Sequence, residues 1–360
     1  RSHRPPYRPD IDGLRAIAIL LVILSHAHAP LFEGAFFGVD LFFVLSGYLI
    51  TTLLLREVAQ TGRIAYWQFY RRRFWRLMPA LLLFLAVYCV AAPHIWPGLD
   101  DVHSDALLSA LYLADYGIAF FDSPNTLLHM WSLAVEEHFY LLWPPALMWI
   151  IRRTPPGKVW RAIALLFCLG WAWRVLWVAQ GQAFYEVFFR FDTRTTGLLL
   201  GSMLAALTVE RPDLFERLRA QLPRWLWLVL AVPLLMALEW DDMNALTWGI
   251  TVVELATLAI LVAVHRPQHN LIAEMLNAPL LVRLGQLSYG IYLWHYPVVR
   301  YLRAEYSWPV TVVAGLVISA LLAAVSLYTV ERWALWWRDR QPRQAEPRYP
   351  AAMKPAAVPQ

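Results

Sequence analysis

Long apolar segments recur along almost the whole chain, and they constrain its fold more than any other feature. A helix that crosses the hydrocarbon core of a bilayer needs roughly 17–25 mostly apolar residues. The segments of about this length lie near 14–32, 35–55, 77–95, 131–151, 159–179, 191–209, 225–240, 245–265, 284–303 and 308–330. The sequence therefore predicts an all-α, polytopic integral membrane protein with about 10 transmembrane helices.

Composition excludes several other classes of protein. Of the 360 residues, 59% are hydrophobic and 16% charged, whereas an ordinary soluble domain is roughly a quarter charged. The 19 tryptophans argue against a disordered chain. Cys89 and Cys168 both lie in apolar runs, which excludes a disulfide scaffold or a cysteine-rich zinc site. The net charge of +5 is modest and the arginines cluster in short loops, so no nucleic-acid partner is predicted.

A further apolar stretch, 105–121, is interrupted by polar residues at 115–117. Positively charged loops favour the cytoplasm. If 105–121 crossed the membrane, Arg152 and Arg153 would fall outside. We therefore predict a re-entrant or interfacial segment there and ten crossings with both termini cytoplasmic. Residues 1–340 form one membrane domain, and the Pro-rich stretch 341–360 is predicted to be a disordered cytoplasmic tail.

The first span carries two ionisable residues on one face. Arg15 and His26 are eleven residues apart, which is about 1100° of helix and a rise of roughly 16 Å. This spacing predicts that His26 lies near the bilayer midplane. Asp12 lies one turn before Arg15 and is expected to pair with it. A titratable residue at this depth is a functional candidate, although His26 could also do no more than hydrogen-bond to a neighbouring helix.

Two further groups of charges stand near the next spans. Asp40 lies among phenylalanines and should face a cavity or a partner, whereas Gly47 is expected to serve helix packing. Arg73 and Arg76 form an i, i+3 pair. Adjacent guanidiniums favour a bound anion, typically a phosphate. The alternative is ordinary anchoring of a cytoplasmic loop.

Two polar patches occur later in the chain. Glu136 and Glu137 stand near the predicted outer boundary, and Glu136 shares a helical face with Tyr140. Tyr292 and His295 form an aromatic–histidine patch within a span. We expect both patches to face an acceptor. No spacing resembles a zinc site, a phosphate-binding loop or a dinucleotide fingerprint, so no metal is predicted.

Several motifs occur in order along the chain: 8–18 with His26 eleven residues after Arg15, 37–50, 73–76, 131–137 with 139–140, and 287–295. Together they resemble the membrane acyltransferase-3 family, the bacterial O-acyltransferases that modify surface polysaccharides. The resemblance runs from Tyr7 to about Arg340.

This resemblance implies a bacterial inner-membrane enzyme. The implied donor is an acyl-CoA, usually acetyl-CoA, used at the cytoplasmic face, and the implied acceptor is a hydroxyl of a carbohydrate or glycoconjugate. The implied essential groups are Arg15, His26, Arg73 and Arg76. Some relatives carry a fused extracytoplasmic esterase-like domain, which this chain is expected to lack. A second step would then need a separate periplasmic partner.

The mechanism expected from these residues places CoA phosphates on the arginines, with Asp12 beside them, and the thioester near His26. His26 would act as general base or carry the acyl group itself. Glu136 and Asp40 are further catalytic candidates, and together with His295 they are expected to orient His26 or the acceptor. The remaining candidates for binding the acceptor are Glu137, Tyr140, Tyr292 and His295. Membrane lipid is a further expected partner.

The alternative function is a transporter or flippase for a glycan or lipid-linked precursor. Transporters commonly show paired inverted repeats, and no such repeat is visible in the sequence. A sensor or scaffold would leave the Arg73–Arg76 pair unexplained.

Overall fold

A computed structural model describes residues 7–99, 101–222, 231–232, 236, 238–265 and 271–340. Every regular element in these ranges is helical, which confirms the all-α prediction. The predicted tail, 341–360, and most of the predicted span 225–240 lie outside the described residues.

In chain order, the described residues form the following α-helices. The first eight are α1 (Pro9–His26), α2 (Gly38–Thr61), α3 (Tyr66–Ile95), α4 (Val102–Ala110), α5 (Ala114–Phe121), α6 (Met130–Arg153), α7 (Val159–Ala179) and α8 (Phe184–Phe188). The later ones are α9 (Phe191–Arg194), α10 (Thr196–Glu210), α11 (Pro212–Gln221), α12 (Ile250–Ala263), α13 (Leu271–Leu276), α14 (Pro279–Glu305), α15 (Trp308–Ser326) and α16 (Arg332–Arg340). A 3₁₀ turn, Glu33–Phe37, leads into α2.

Among the described residues, five helical segments are long and apolar enough to cross a membrane. They are Glu33–Thr61, Tyr66–Ile95, Val159–Ala179, Ala245–Ala263 and Trp308–Arg340. Each coincides with a predicted span, so the protein is a multi-pass membrane protein. The predicted spans at α1, α6, α10 and α14 are also helices, but they are shorter or carry more charge. The total of ten crossings stays a prediction.

The first helix ends earlier than the sequence predicted. Its apolar window continues to about residue 32, but α1 stops at His26. His28 follows with φ of 52°, a left-handed conformation that a helix cannot contain. His26 is therefore the last residue of its helix rather than an interior one. His28 lies outside the helix.

The segment 105–121 forms two short helices, α4 and α5, of 9 and 8 residues. The chain turns between them at Tyr112, whose φ is 54°, and not at the predicted break 115–117. At 1.5 Å per residue, each helix is about 12–14 Å long. Neither can span a core of about 30 Å alone, in agreement with a segment that does not cross.

Glycines bring the helices of the core into direct backbone contact. A Cβ on Gly285 of α14 would lie 1.8 Å from the carbonyl oxygen of Asp12 in α1. A Cβ on Gly47 of α2 would lie 1.9 Å from the carbonyl oxygen of Leu198 in α10. Small residues permit this approach between membrane helices. The packing role expected for Gly47 is confirmed, and α1 is held tightly against α14.

We expect Gly47→Ala to destabilise the protein. The added methyl group would force α2 away from a backbone carbonyl that no rotamer change can move, and overpacking of this kind costs about 1–3 kcal/mol. The thermal unfolding midpoint in detergent should fall by several degrees.

Gly170→Ala is the matched control, because a Cβ there meets its nearest neighbour, Thr195 Oγ1, at 3.4 Å. This variant should unfold close to the parent temperature. Equal midpoints for the two variants would contradict the close contact at Gly47.

Candidate active site

Two histidines meet where α1 ends against the middle of α14. His26 Nδ1 lies 2.9 Å from the carbonyl oxygen of Val22 and 3.2 Å from His295 Nε2. His295 Nδ1 lies 2.6 Å from the carbonyl oxygen of Tyr292. The tight α1–α14 packing thus brings together two residues separated by 269 positions.

These contacts specify which ring nitrogens carry protons. A carbonyl oxygen only accepts, so His295 Nδ1 donates to Tyr292 and, in the neutral ring, His295 Nε2 accepts. His26 Nδ1 then donates to His295 Nε2 and to Val22. In neutral His26 the lone pair is therefore on Nε2. His26 Nε2 makes no hydrogen bond to the described residues, which leaves it available as a base.

A third histidine, which the sequence reasoning missed, completes this group. His129 is 1% exposed. Its Nε2 lies 3.2 Å from the carbonyl oxygen of Leu293, and its ring stacks on Tyr296 with centroids 5.0 Å apart. It stands just before α6, two residues ahead of the 131–140 motif, and that position is the only sequence signal it offers.

Tyr292 connects this group to α6. Its hydroxyl lies 2.5 Å from Ser132 Oγ and donates to the carbonyl oxygen of His129 at 2.9 Å. The structure therefore brings the predicted residues Tyr292 and His295 to His26. Contact of either residue with an acceptor stays a prediction.

A small cavity of about 40 Å³ lies between the inward faces of α1, α2, α6 and α14. Its lining residues are Arg15, Val39, Phe42, Phe43, Ser132, Leu133, Glu136, Ser288, Tyr289 and Tyr292. Arg15 donates to Ser288 Oγ at 3.0 Å, and Glu136 accepts from Ser46 Oγ at 2.5 Å. The cavity thus joins the predicted donor residue Arg15, through Tyr292, to the histidine group.

The predicted Asp12–Arg15 pair is wrong. Asp12 accepts a hydrogen bond from the Tyr7 hydroxyl at 2.6 Å, and Tyr7 in turn accepts from Gln286 at 2.6 Å. Arg15 instead donates to Ser288 Oγ, because α14 packs close enough to α1 to place this hydroxyl within hydrogen-bonding distance. Asp12 ties the segment before α1 to α14.

Arg73 and Arg76 have different surroundings. Arg73 forms an ion pair with Glu137 at 2.9 Å, and its guanidinium lies 3.0 Å from the Tyr140 ring centroid. Glu137 and Tyr140 therefore hold Arg73, and their contact with an acceptor stays a prediction. Arg76 is exposed and lies within electrostatic range of Arg15 and Arg73. It has no hydrogen bond or ion pair with the described residues, so it is the arginine open to an anion.

Asp40 belongs to a separate buried network, and its predicted role beside His26 is corrected. Asp40 Oδ1 pairs with Arg194 Nη2 at 2.9 Å, and both residues are at most 1% exposed. Arg174 donates to Thr196 Oγ1 at 2.7 Å, and Thr196 donates to Glu254 at 2.6 Å. A carboxylate in an apolar interior needs a charged partner, and the partner of Asp40 is 154 residues away in sequence. Asp40 is not among the residues that line the small cavity.

Asp40→Asn should lower stability sharply. Removing one partner of a buried ion pair leaves the other charge uncompensated, which costs about 3–5 kcal/mol. The thermal midpoint should drop strongly. The double variant Asp40→Leu/Arg194→Met should recover part of the loss, since both charges are then gone.

Asp213→Asn is the control, because it removes one partner of the exposed Arg211–Asp213 pair and should barely change the midpoint. If the Asp40→Asn protein were inactive but as stable as the parent, the result would indicate a catalytic role for Asp40 rather than a structural one.

Within the described ranges, no group of three or more His, Cys, Asp or Glu side chains is arranged to hold a metal ion. The site is therefore a histidine group, buried at His129 and His295 and half-buried at His26, that a cavity joins to a cluster of arginines inside a multi-pass helical membrane protein. These features fit a membrane-embedded group-transfer enzyme.

A family model described as an acyltransferase domain matches residues 8–329. The chain belongs to this family, the acyltransferase-3 family, as its motifs indicated.

Three curated relatives cover most of the chain. The O-acetyltransferase OatA of Staphylococcus aureus (strain NCTC 8325 / PS 47) is 31% identical, over 92% of this chain and 58% of its own length. The peptidoglycan O-acetyltransferase OatA of Listeria monocytogenes is 32% identical, over 81% and 49%. The putative peptidoglycan O-acetyltransferase YrhL of Bacillus subtilis is 33% identical, over 92% and 55%.

The chain thus spans about half the length of these relatives. No solved structure matches it significantly.

Proposed function

We propose that this protein transfers an acyl group, most simply acetyl, from acyl-CoA to a hydroxyl of a carbohydrate or glycoconjugate at the bacterial inner membrane. The names of the relatives support acetyl transfer to peptidoglycan, a carbohydrate polymer. The observation that carries the proposal is the His26–His295 pair, which leaves His26 Nε2 unprotonated at the end of α1.

The donor phosphates bind Arg76, with Arg15 and Arg73 supplying further positive charge. Three guanidiniums near one another favour an anion between them. Because Glu137 already pairs with Arg73, direct phosphate contact falls mainly to Arg76. This role for Arg76 requires the arginine end of the bundle to face the cytoplasm, where acyl-CoA is made, and both termini to be cytoplasmic.

The pantetheine arm extends from the arginines along α1 toward His26. The helical rise between Arg15 and His26 is about 16 Å. The cavity between α1, α2, α6 and α14 lies on this route. At about 40 Å³ it holds no more than a few water molecules, so the arm enters by displacing water or by a small separation of the helices. The thioester then lies beside His26.

The chemistry is general-base catalysis. His26 Nε2 removes the proton of the acceptor hydroxyl while the hydroxyl oxygen attacks the thioester carbonyl carbon. The tetrahedral intermediate collapses with cleavage of the C–S bond, and the CoA thiolate takes the proton from His26. His295 positions His26 by accepting from Nδ1 and stabilises its protonated form. In the second route His26 Nε2 attacks the thioester carbonyl carbon, and CoA leaves as the thiolate. The acceptor hydroxyl then attacks the acyl group on His26, its proton passes to the thiolate, and the imidazole is released.

Where the acceptor lies beyond the membrane surface, a separate periplasmic protein completes delivery. Glu136 lines the same cavity as Arg15 and is the remaining carboxylate candidate for orienting the reacting groups.

His26→Gln should abolish acetyl transfer while leaving acetyl-CoA binding and thermal stability near parental. Glutamine keeps a hydrogen-bonding amide but can neither take a proton nor carry an acyl group at neutral pH. General-base catalysis alone contributes about 10²–10⁴-fold. Transfer is measured as CoA release with an acceptor glycan present.

His103→Gln provides the control, since His103 is exposed on α4. Substantial turnover by His26→Gln would reduce His26 to a positioning residue.

Arg76→Gln should weaken acetyl-CoA binding by about tenfold or more, because hydrogen bonds to charged groups contribute about 1.5–3 kcal/mol. Lysine at this position should rescue only part of the affinity, since it lacks the planar fork of the guanidinium. Calorimetry on the purified protein measures the dissociation constant.

Arg72→Gln is the matched control, an exposed arginine on the same helix. If Arg76→Gln and Arg72→Gln bound acetyl-CoA equally well, Arg76 would be an anchor of the loop and not a donor ligand.

A further inference from the structure

A second, much larger cavity opens at the other end of α1. Its volume is about 620 Å³, within the range of about 300–1,000 Å³ that small-molecule sites occupy. Its lining residues are Ala27, His28, Trp96, Arg300, Arg303, Ala304, Tyr306 and Trp308. None of them belongs to the donor residues or to the small cavity.

This outer cavity adjoins the catalytic histidine. Arg303 of α14 donates to the carbonyl oxygen of His26 at 2.9 Å and lies 2.7 Å from His28 Nε2. Burial lowers the pKa of His28 and the charge of Arg303 lowers it further, so His28 is neutral and accepts from Arg303. A ligand bound to Arg303 would thus lie close to the backbone of His26, the proposed base.

The lining has the chemistry of an anion site. It carries the two guanidiniums of Arg300 and Arg303, and no carboxylate is found among the described lining residues. Arg303 is exposed and can donate to a ligand with the nitrogens that His26 and His28 leave unused. Arg300 lies 5.5 Å from the Trp96 ring centroid, which holds it at the wall. Two planar donors favour a carboxylate or phosphate.

The same lining offers flat apolar surfaces. Tyr306 is 54% exposed and Trp308 is 40% exposed, and Trp96 also lines the cavity. Aromatic rings with a polar edge pack against ligands that have one apolar and one polar face. The C–H face of a sugar ring is such a surface. Arginines beside aromatic rings thus suit a sugar that carries a negative charge.

We propose that the outer cavity is the acceptor site and that it selects an anionic carbohydrate, a sugar bearing a carboxylate or a phosphate. Arg300 and Arg303 bind the anionic group, the aromatic rings hold the sugar, and a ring hydroxyl reaches His26. This inference rests on the proposed function and adds the class of acceptor to it.

The experiment compares two matched acceptors with the purified full-length protein, a glucuronic acid oligosaccharide and a neutral glucose oligosaccharide of the same length. Calorimetry gives binding without turnover, and CoA release with acetyl-CoA gives KM and kcat. The anionic acceptor should bind about tenfold or more tightly and have a correspondingly lower KM.

Arg300→Gln should remove this preference through KM with little change in kcat, and Arg300→Lys should restore part of it. Arg283→Gln is the control, an exposed arginine near the start of the same helix, and it should keep the preference.

Three outcomes overturn the inference. Equal binding of both oligosaccharides, with acetyl transfer intact, refutes the anionic acceptor but leaves the proposed function standing. Tight binding of the glucuronate that Arg300→Gln does not change places the acceptor elsewhere. The third outcome has two parts: glucuronate does not bind, and phosphatidylglycerol nanodiscs raise the thermal unfolding midpoint of the parent above its value in phosphatidylcholine nanodiscs. If Arg300→Gln shows no such increase, the cavity holds a lipid headgroup.

The proposed function fails in a different way. No acetyl-CoA-dependent release of CoA with any glycan would refute the transferase reaction, while the calorimetric comparison would still decide whether the cavity prefers the anionic sugar.

Discussion

The close backbone contact between α1 and α14 is the constraint on which the site depends. Gly285 leaves no room for a side chain beside Asp12, so the two helices touch at the end that carries Arg15. The same pair of helices meets again where His26 contacts His295. One packed interface thus holds both the proposed donor residue and the proposed base. A shift of α14 would separate Arg15 from Ser288 as well as the two histidines.

The ionisable groups inside the bundle serve two different purposes. The network around Asp40 and Arg194 is buried and paired, which is how a membrane protein holds charges whose desolvation would otherwise be costly. The proposed phosphate ligand and the proposed base are not paired in this way. Arg76 has no hydrogen-bonding partner among the described residues, and His26 Nε2 is free of described hydrogen bonds. Depth in the membrane therefore marks a candidate residue, and the contacts of its side chain then show whether an opposite charge already pairs with it.

The arrangement along α1 suggests a division between donor and acceptor. Arginines surround one end of the helix, and the small cavity follows it. Beyond His26 the larger cavity lined by Arg300 and Arg303 begins. A base at the end of the helix, rather than in its interior as the sequence predicted, can be reached from both sides. This geometry suits a reaction whose two substrates approach from opposite directions.

The sequence by itself determined the helical membrane class and the family, and it predicted Arg15, His26 and His295 as site residues. Apolar length and the order of motifs are properties of the chain alone. It could not show that Asp40 pairs with Arg194 or that Glu137 holds Arg73, because those partners come from distant helices. It also missed His129, which has no periodic or motif signal of its own. Only the tertiary structure decided which charges are satisfied, since that depends on what neighbouring helices place within hydrogen-bonding distance.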